Sequence, residues 1–272
     1  MSTLSIPPVV VGVDGSDAAL AALDLAAEDA AARVTPLIVV HAHDAADDGA
    51  HRLLAAAAAR ARAEHPMLSV GGVLTTGQPA DALVDSATDA CLLVLGHRSR
   101  RAAPHRTDCV TARVLGRAPV PVLIYRPFDT PVPEPTRPVV VGLADPAGSD
   151  TLLEFAFDEA ALRGAPLLAI HVWPPANGRD AYGFGHAEPD AEAQLAAAVT
   201  VWADKYPEVP VRRVLRHGVD VVVAIAALSH SAQLVVVGAS RRSRWTGRAT
   251  GSTGEALAHR AGCPLAVVPL DG

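Results

Sequence analysis

The chain has 272 residues, 50% of them hydrophobic and only 4% aromatic, and a formal net charge of −6. That length suffices for two ordinary domains with separate cores. The acidic balance gives no global basis for nucleic-acid binding, and no apolar run reaches a membrane span. Cys91, Cys109 and Cys263 are odd in number and lack CxxC spacing, which reads as reduced, intracellular thiols. Residues 1–8 have neither the charged nor the apolar region of a signal peptide, so the expected location is cytoplasmic.

In chain order, the first half alternates apolar runs with alanine-rich segments. Strands are expected at 9–13, 37–42, 68–75, 91–95 and 120–125, and helices at 17–33, 49–64, 79–90 and 107–117. Continuous apolar strands separated by helices imply a parallel sheet covered on both faces. Residues 127–137 form a proline-rich, semi-rigid linker. Beyond it the pattern repeats. Pro8-Val-Val-Val-Gly12 recurs as Pro138-Val-Val-Val-Gly142, and Leu23-Asp-Leu-Ala-Ala-Glu-Asp-Ala-Ala as Leu153-Glu-Phe-Ala-Phe-Asp-Glu-Ala-Ala. His41 falls on His171, Leu92-Leu-Val-Leu-Gly96 on Leu234-Val-Val-Val-Gly238, and Arg117-Ala-Pro-Val-Pro121 on Arg260-Ala-Gly-Cys-Pro264. The chain is therefore a duplication. The expected fold is α/β: two tandem, doubly wound, Rossmann-like domains (residues 1–126 and 138–272), each with a five-stranded parallel sheet. The halves differ at 173–189, a long Gly-aromatic loop of the second half that reads either as a lid or as a tolerated surface insertion.

Near the end of the second half lies Gly238-Ala-Ser-Arg-Arg-Ser-Arg-Trp-Thr-Gly-Arg-Ala-Thr-Gly251-Ser252. It follows an apolar strand, 234–237, and leads into a helix expected at 253–261. Glycines let backbone N–H groups approach an anion, and a helix N-terminus adds unpaired donors and partial positive charge. The loop lacks the Gly-Lys-Ser/Thr ending of a P-loop.

With these residues placed, each half resembles the universal stress protein family. The resemblance rests on Val-Gly-Val-Asp-Gly-Ser at 11–16, Leu-Arg-Gly-Ala-Pro-Leu-Leu-Ala-Ile-His at 162–171, the glycine loop, and Cys-Pro-Leu-Ala-Val-Val at 263–268. It implies the adenine nucleotide alpha hydrolase-like version of the fold. It also implies ATP, with or without Mg, as ligand, through the pattern G-x-x-G-x9-G-[S/T]. In the second half Gly238, Gly251 and Ser252 match that pattern, Arg241 replaces its second glycine, and Ala144, followed by Asp145, stands at the first-strand Asp. Gly238, Ser240, Arg241, Arg244, Gly247, Arg248, Gly251, Ser252 and Thr253 are expected to face phosphate. Ala144, Asp145, His171 and Val172 are expected near the nucleoside. In the first half Asp14, Gly15, Ser16, Val40 and Gly96 are the weaker candidates, because Asp108-Cys109 stands where Gly-Ser belongs and a carboxylate there repels phosphate. Asp108 is expected to cap its own helix. Gly251→Asp is expected to abolish nucleotide binding and Gly96→Asp to leave it intact.

No catalytic residue is assigned: Ser252 and His259 lie two helical turns apart, too far for direct contact. No metal site is assigned either, since His41 and His43 share a strand face without further ligands. Trp202 reads as core. The expectation is a non-catalytic stress-response sensor that binds ATP in its second domain. Its fifth strands, 120–125 and 265–270, are implied as pairing edges within the chain or in a homodimer, and its protein partner is unknown. Two alternatives stay open: a degenerate protein acting through protein contacts, and a slow ATPase.

Overall fold

A computed structural model describes residues 6–43, 49–97, 110–126, 137–173, 189–217, 219–240 and 253–270. The chain divides into two compact units, Met1–Pro127 and Phe128–Gly272.

The first unit runs β1 (Val9–Gly12), α1 (Asp17–Ala32), β2 (Leu37–His43), α2 (Ala50–Glu64), β3 (Val70–Thr76), α3 (Pro79–Ser86), β4 (Leu92–Gly96), α4 (Val110–Leu115) and β5 (Val122–Tyr125). Its strands pair in parallel in the order β3-β2-β1-β4-β5. Val9, Val10, Val11, Leu93 and Val94 are wholly buried, as helices on both faces of a parallel sheet require. The expected helix at 79–90 stops at Ser86. There the Thr88 hydroxyl donates to the Asp85 carbonyl, competing for an acceptor that a continuing helix would use.

The second unit runs β6 (Val139–Leu143), a 3-10 turn (Pro146–Gly148), α5 (Asp150–Leu162), β7 (Leu167–Trp173), α6 (Pro189–Lys205), β8 (Val211–His217), α7 (Val221–Ser229), β9 (Leu234–Ser240), α8 (Thr253–Ala258) and β10 (Leu265–Leu270). Its strand order is β8-β7-β6-β9-β10, again parallel throughout. The duplication in sequence is thus a duplication of topology, and both units have the doubly wound α/β fold. Cys263 is fully buried, and that burial pushes its thiol up to about 12. No helix among the described residues is long and apolar enough to cross a membrane.

Trp202 corrects one expectation. It is half-buried rather than core: its indole N–H donates to Asp150 at 3.4 Å, and the Lys205 ammonium stands 4.6 Å from its ring centroid. An aromatic that carries a donor favours a position with one wet edge.

The turn after the first helix of each unit shows where the copies diverge under strain. Gly164 takes φ 58°, and its counterpart Val34 takes φ 55° while 81% exposed. A β-branched residue in the left-handed region is costly, whereas glycine is not. Val34→Gly is expected to raise stability by about 1 kcal/mol, read as a higher urea midpoint. An unchanged or lower midpoint contradicts the assignment.

Candidate functional site

In a sheet wound in both directions, ligands collect where the strand order reverses, beyond the carboxyl ends of the strands. In the first unit that point lies between β1 and β4, and in the second between β6 and β9.

In the first unit the crevice is formed. A cavity of about 140 Å³ is lined by the ends of β1 (Gly12, Val13, Asp14), β2 (Val40, Ala42) and β4 (Leu95, Gly96), together with Ser16, Pro79, Leu83 and Thr111. Four of the five first-unit candidates, Asp14, Ser16, Val40 and Gly96, therefore come together. Gly15 instead supplies the turn, at φ 78°. The Asp14 carboxylate fixes that turn by accepting from the Ser16 N–H (3.0 Å) and the Ser16 hydroxyl (2.6 Å). Ser16 Oγ in turn accepts from the Ala19 N–H at 3.3 Å and so caps α1. Ala42, Pro79, Leu83, Leu95 and Thr111 were not foreseen. Pro79, first in α3, was the available signal, since a helix starting just after a strand end opens towards the crevice.

Two glycines explain how the walls approach so closely. A Cβ on Gly12 would lie 2.8 Å from Leu83 Cδ2, and one on its counterpart Gly142 would lie 2.7 Å from Ile225 Cδ1. A Cβ on Gly96 would lie 2.5 Å from the Ala18 carbonyl carbon and 2.8 Å from the Ala19 nitrogen, both backbone atoms of α1. Any side chain at Gly96, that of Gly96→Asp included, meets the first turn of α1, so such a change bears on the packing of the first unit as well as on ligand binding.

In the second unit the candidates fall on neighbouring strand ends. β6 lies between β7 and β9, with Leu143 opposite His171 and Gly142 opposite Val237. This register brings Ala144 and Asp145, His171 and Val172, and the start of the glycine loop at Gly238 and Ser240 to one edge. Ala144 is exposed; Asp145 accepts from the Ala147 N–H at 3.1 Å and organises the 3-10 turn that replaces the first turn of a helix there. His171 Nδ1 donates to the Leu143 carbonyl at 2.8 Å, as His41 does to Val13 at 2.8 Å. Each ring thereby ties two adjacent strand ends together through its Nδ1. Thr253 opens α8 and is exposed. Arg241, Arg244, Gly247, Arg248, Gly251 and Ser252 lie outside the described residues, as do Asp108, the linker at 127–136 and the loop at 174–188.

His41 and His43 do share a face, their ring centroids 6.3 Å apart. Among the described residues no three His, Cys, Asp or Glu side chains sit together as a metal site would require.

Comparison with known proteins gives a consistent result. The model of the universal stress protein family matches residues 6–126 and again 135–269. A universal stress protein of Mycobacterium tuberculosis is 34% identical over 95% of this chain and 96% of its own length. A second from the same organism is 31% identical over 95% of each. The crystal structure of a universal stress protein from Archaeoglobus fulgidus covers 96% of this chain and 98% of its own, with a TM-score of 0.68 and 18% identity, a likeness of fold.

Proposed function

The chain belongs to the universal stress protein family as a tandem member, and on that premise we propose that it is a non-catalytic sensor whose second unit binds ATP. The reading places phosphates on residues 238–252 and the base against backbone at 170–172. Bound nucleotide would shift the conformation of the loop and thereby the choice of a protein partner. A cytoplasmic location and pairing through the fifth strands, within the chain or between two chains, belong to the same proposal.

The observation that carries it is the register at the β6 switch point. The strand that ends in Gly238 is adjacent to β6, and β6 is adjacent to the strand that ends in His171 and Val172. A loop leaving Gly238 therefore starts where the family's nucleotide would lie. The sequence of that loop fits the group chemically: glycines at 238, 247 and 251 suit close backbone approach to an anion, and Arg241, Arg244 and Arg248 supply cations that match phosphate oxygens. When bound, ATP would supply the negative charge that those donors hold.

Isothermal titration of the full chain with Mg-ATP tests this. The expected result is saturable binding that Gly251→Asp weakens by more than about tenfold, because a carboxylate would compete for the phosphate's donors. Ala42→Phe, in the first unit, is expected to leave this binding in place. No affinity for ATP at millimolar concentration would favour the alternative of a chain acting through protein contacts alone. That alternative draws on Arg241 and Ala144, which stand where the family pattern has glycine and aspartate.

A further inference from the structure

β3 and β8 each stand at the outer end of their unit's strand order, and each pairs on one side with the unit's second strand, β2 or β7. Leu37 lies opposite Val70 and Leu167 opposite Val211, so the two outer strands align residue for residue. Val-Gly-Gly-Val-Leu-Thr-Thr at 70–76 matches Val-Arg-Arg-Val-Leu-Arg-His at 211–217. The aliphatic positions agree, while Gly71, Gly72 and Thr75 give way to Arg212, Arg213 and Arg216. All three arginines are exposed, and among the described residues none of them meets an acid. Arg216 Nη1 donates to the Leu215 carbonyl at 3.0 Å.

The outer side of β8 also presents backbone groups. The Leu167 N–H donates to the Pro210 carbonyl at 2.9 Å, which fixes the alternation of a parallel ladder. Arg212, Val214 and Arg216 turn their amides towards β7, and Val211, Arg213, Leu215 and His217 turn theirs outward. Among the described strands none lies beyond β8. Side chains alternate too, which places Arg212 and Arg216 on one face of the sheet and Arg213 on the other.

Charged residues are one way in which a sheet edge is kept from pairing with other chains. The first copy argues against that as their whole role. Its equivalent edge is uncharged from Ser69 to Gln78, with Arg62 of α2 donating to the Val70 carbonyl at the start of the strand. The same fold thus tolerates a neutral edge. Cations on both faces of an open edge, in a chain of net charge −6, complement acids carried on an added strand. A phosphate chain would engage the arginines but offers no donors to the outward carbonyls.

We propose that β8 is a docking edge for an acidic, extended segment of a partner protein, which joins the sheet as a further strand. Acids spaced Glu-Glu-x-x-Glu along a parallel segment, or the reverse along an antiparallel one, fall opposite Arg212, Arg213 and Arg216. An acid opposite Arg216 draws its guanidinium from the Leu215 carbonyl and frees that acceptor for the added strand. The proposal draws on no residue of the proposed nucleotide site, so it stands or falls independently of ATP binding.

The test uses the full chain and a fluorescein-labelled peptide, Thr-Glu-Val-Thr-Glu-Glu-Thr-Val-Glu-Thr, which carries the spacing in both directions. Fluorescence anisotropy is expected to show saturable binding. Glutamine in place of every glutamate is expected to weaken it about tenfold, a modest factor from each of three cross-strand pairs. Proline at the four inner uncharged positions keeps the charge but removes N–H donors, and a loss of about tenfold is expected again. Arg212→Glu, Arg213→Glu and Arg216→Glu together keep the edge charged. That variant is expected to lose the acidic peptide and bind its lysine counterpart, with circular dichroism verifying the fold. The proposal is overturned by no saturable binding at millimolar peptide, or by equal affinity for the acidic peptide and either its glutamine or its proline form. A folded triple variant that keeps the acidic peptide or rejects the lysine one overturns it as well. A ten-nucleotide oligothymidylate that binds more tightly than the peptide would overturn it in favour of a nucleic-acid face. Aggregation of the chain carrying Arg212→Ser, Arg213→Ser and Arg216→Ser, with no peptide binding by the parent, would reduce the arginines to edge guards. The peptide series requires no change to the chain and decides the question by itself.

Discussion

Gly96→Ala is expected to destabilise the first unit by about 3 kcal/mol, the upper end of the range for overpacking. The added methyl would lie 2.5 Å from the Ala18 carbonyl carbon and 2.8 Å from the Ala19 nitrogen. These are backbone atoms at the capped start of α1, so relief requires moving the helix rather than turning a side chain. The equivalent Gly238→Ala is a built-in comparison. Its methyl would lie 2.5 Å from Leu270 Cδ1, the end of a side chain that can rotate away, and the expected cost is about 1 kcal/mol. Urea unfolding of both variants gives the answer, since the first should lower the midpoint well beyond the second. Equal effects would mean that α1 yields easily, and that the wall of the first cavity is softer than the geometry indicates.

The second large effect is expected at the end of α5. Glu159 is fully buried, and two N–H groups of Arg163 converge on its Oε2, Nη2 at 2.7 Å and Nε at 3.1 Å. The arginine side chain is itself only 14% exposed, so solvent screens the pair weakly. Arg163→Ala is expected to cost about 3 kcal/mol, because it strips a buried carboxylate of its cation. Arg163→Lys should recover only part of this, since an ammonium cannot reproduce the two converging donors of a guanidinium. Glu159→Leu combined with Arg163→Met should recover most of it, because the penalty belongs to the uncompensated charge and not to the absence of the pair. A thermal melt in which the double replacement is as damaged as Arg163→Ala would refute that account. Asp29, 1% exposed, and Arg33 hold the same positions in the first unit, so an acid and an arginine four residues apart recur in the sequence.

Much of the architecture was readable before any coordinates. Val9–Gly12 and Val139–Leu143 are where the valine runs put them, and α1 covers 17–32 as its alanine periodicity implies. Long-range consequences were harder. Trp202 read as core because an isolated large aromatic usually packs inside, yet its N–H sought an acceptor at the surface on Asp150. His171 read as a residue near the nucleoside, and only the structure shows that its Nδ1 donates to the Leu143 carbonyl. Leu83 and Thr111 read as ordinary helix residues, and they became walls of the first cavity only when α3 and α4 were laid over the sheet.

By itself the sequence determined the duplication, the strand and helix order, and the family, because these rest on local periodicity and on repeated strings of residues. It also determined that the copies differ in their acids, Asp14 and Asp108 against Ala144 and Gly251, while each loop carries four arginines, since formal charge is a property of residue type. Only the tertiary structure showed that Gly96 is a packing requirement, with the backbone of α1 standing where a side chain would go. It alone showed that Asp14, Val40, Leu83 and Thr111 enclose one space. The physical reason is that contact between distant segments depends on sheet order and register. Those follow from how whole layers pack, and no window of neighbouring residues encodes the distance from one strand's end to another helix's backbone.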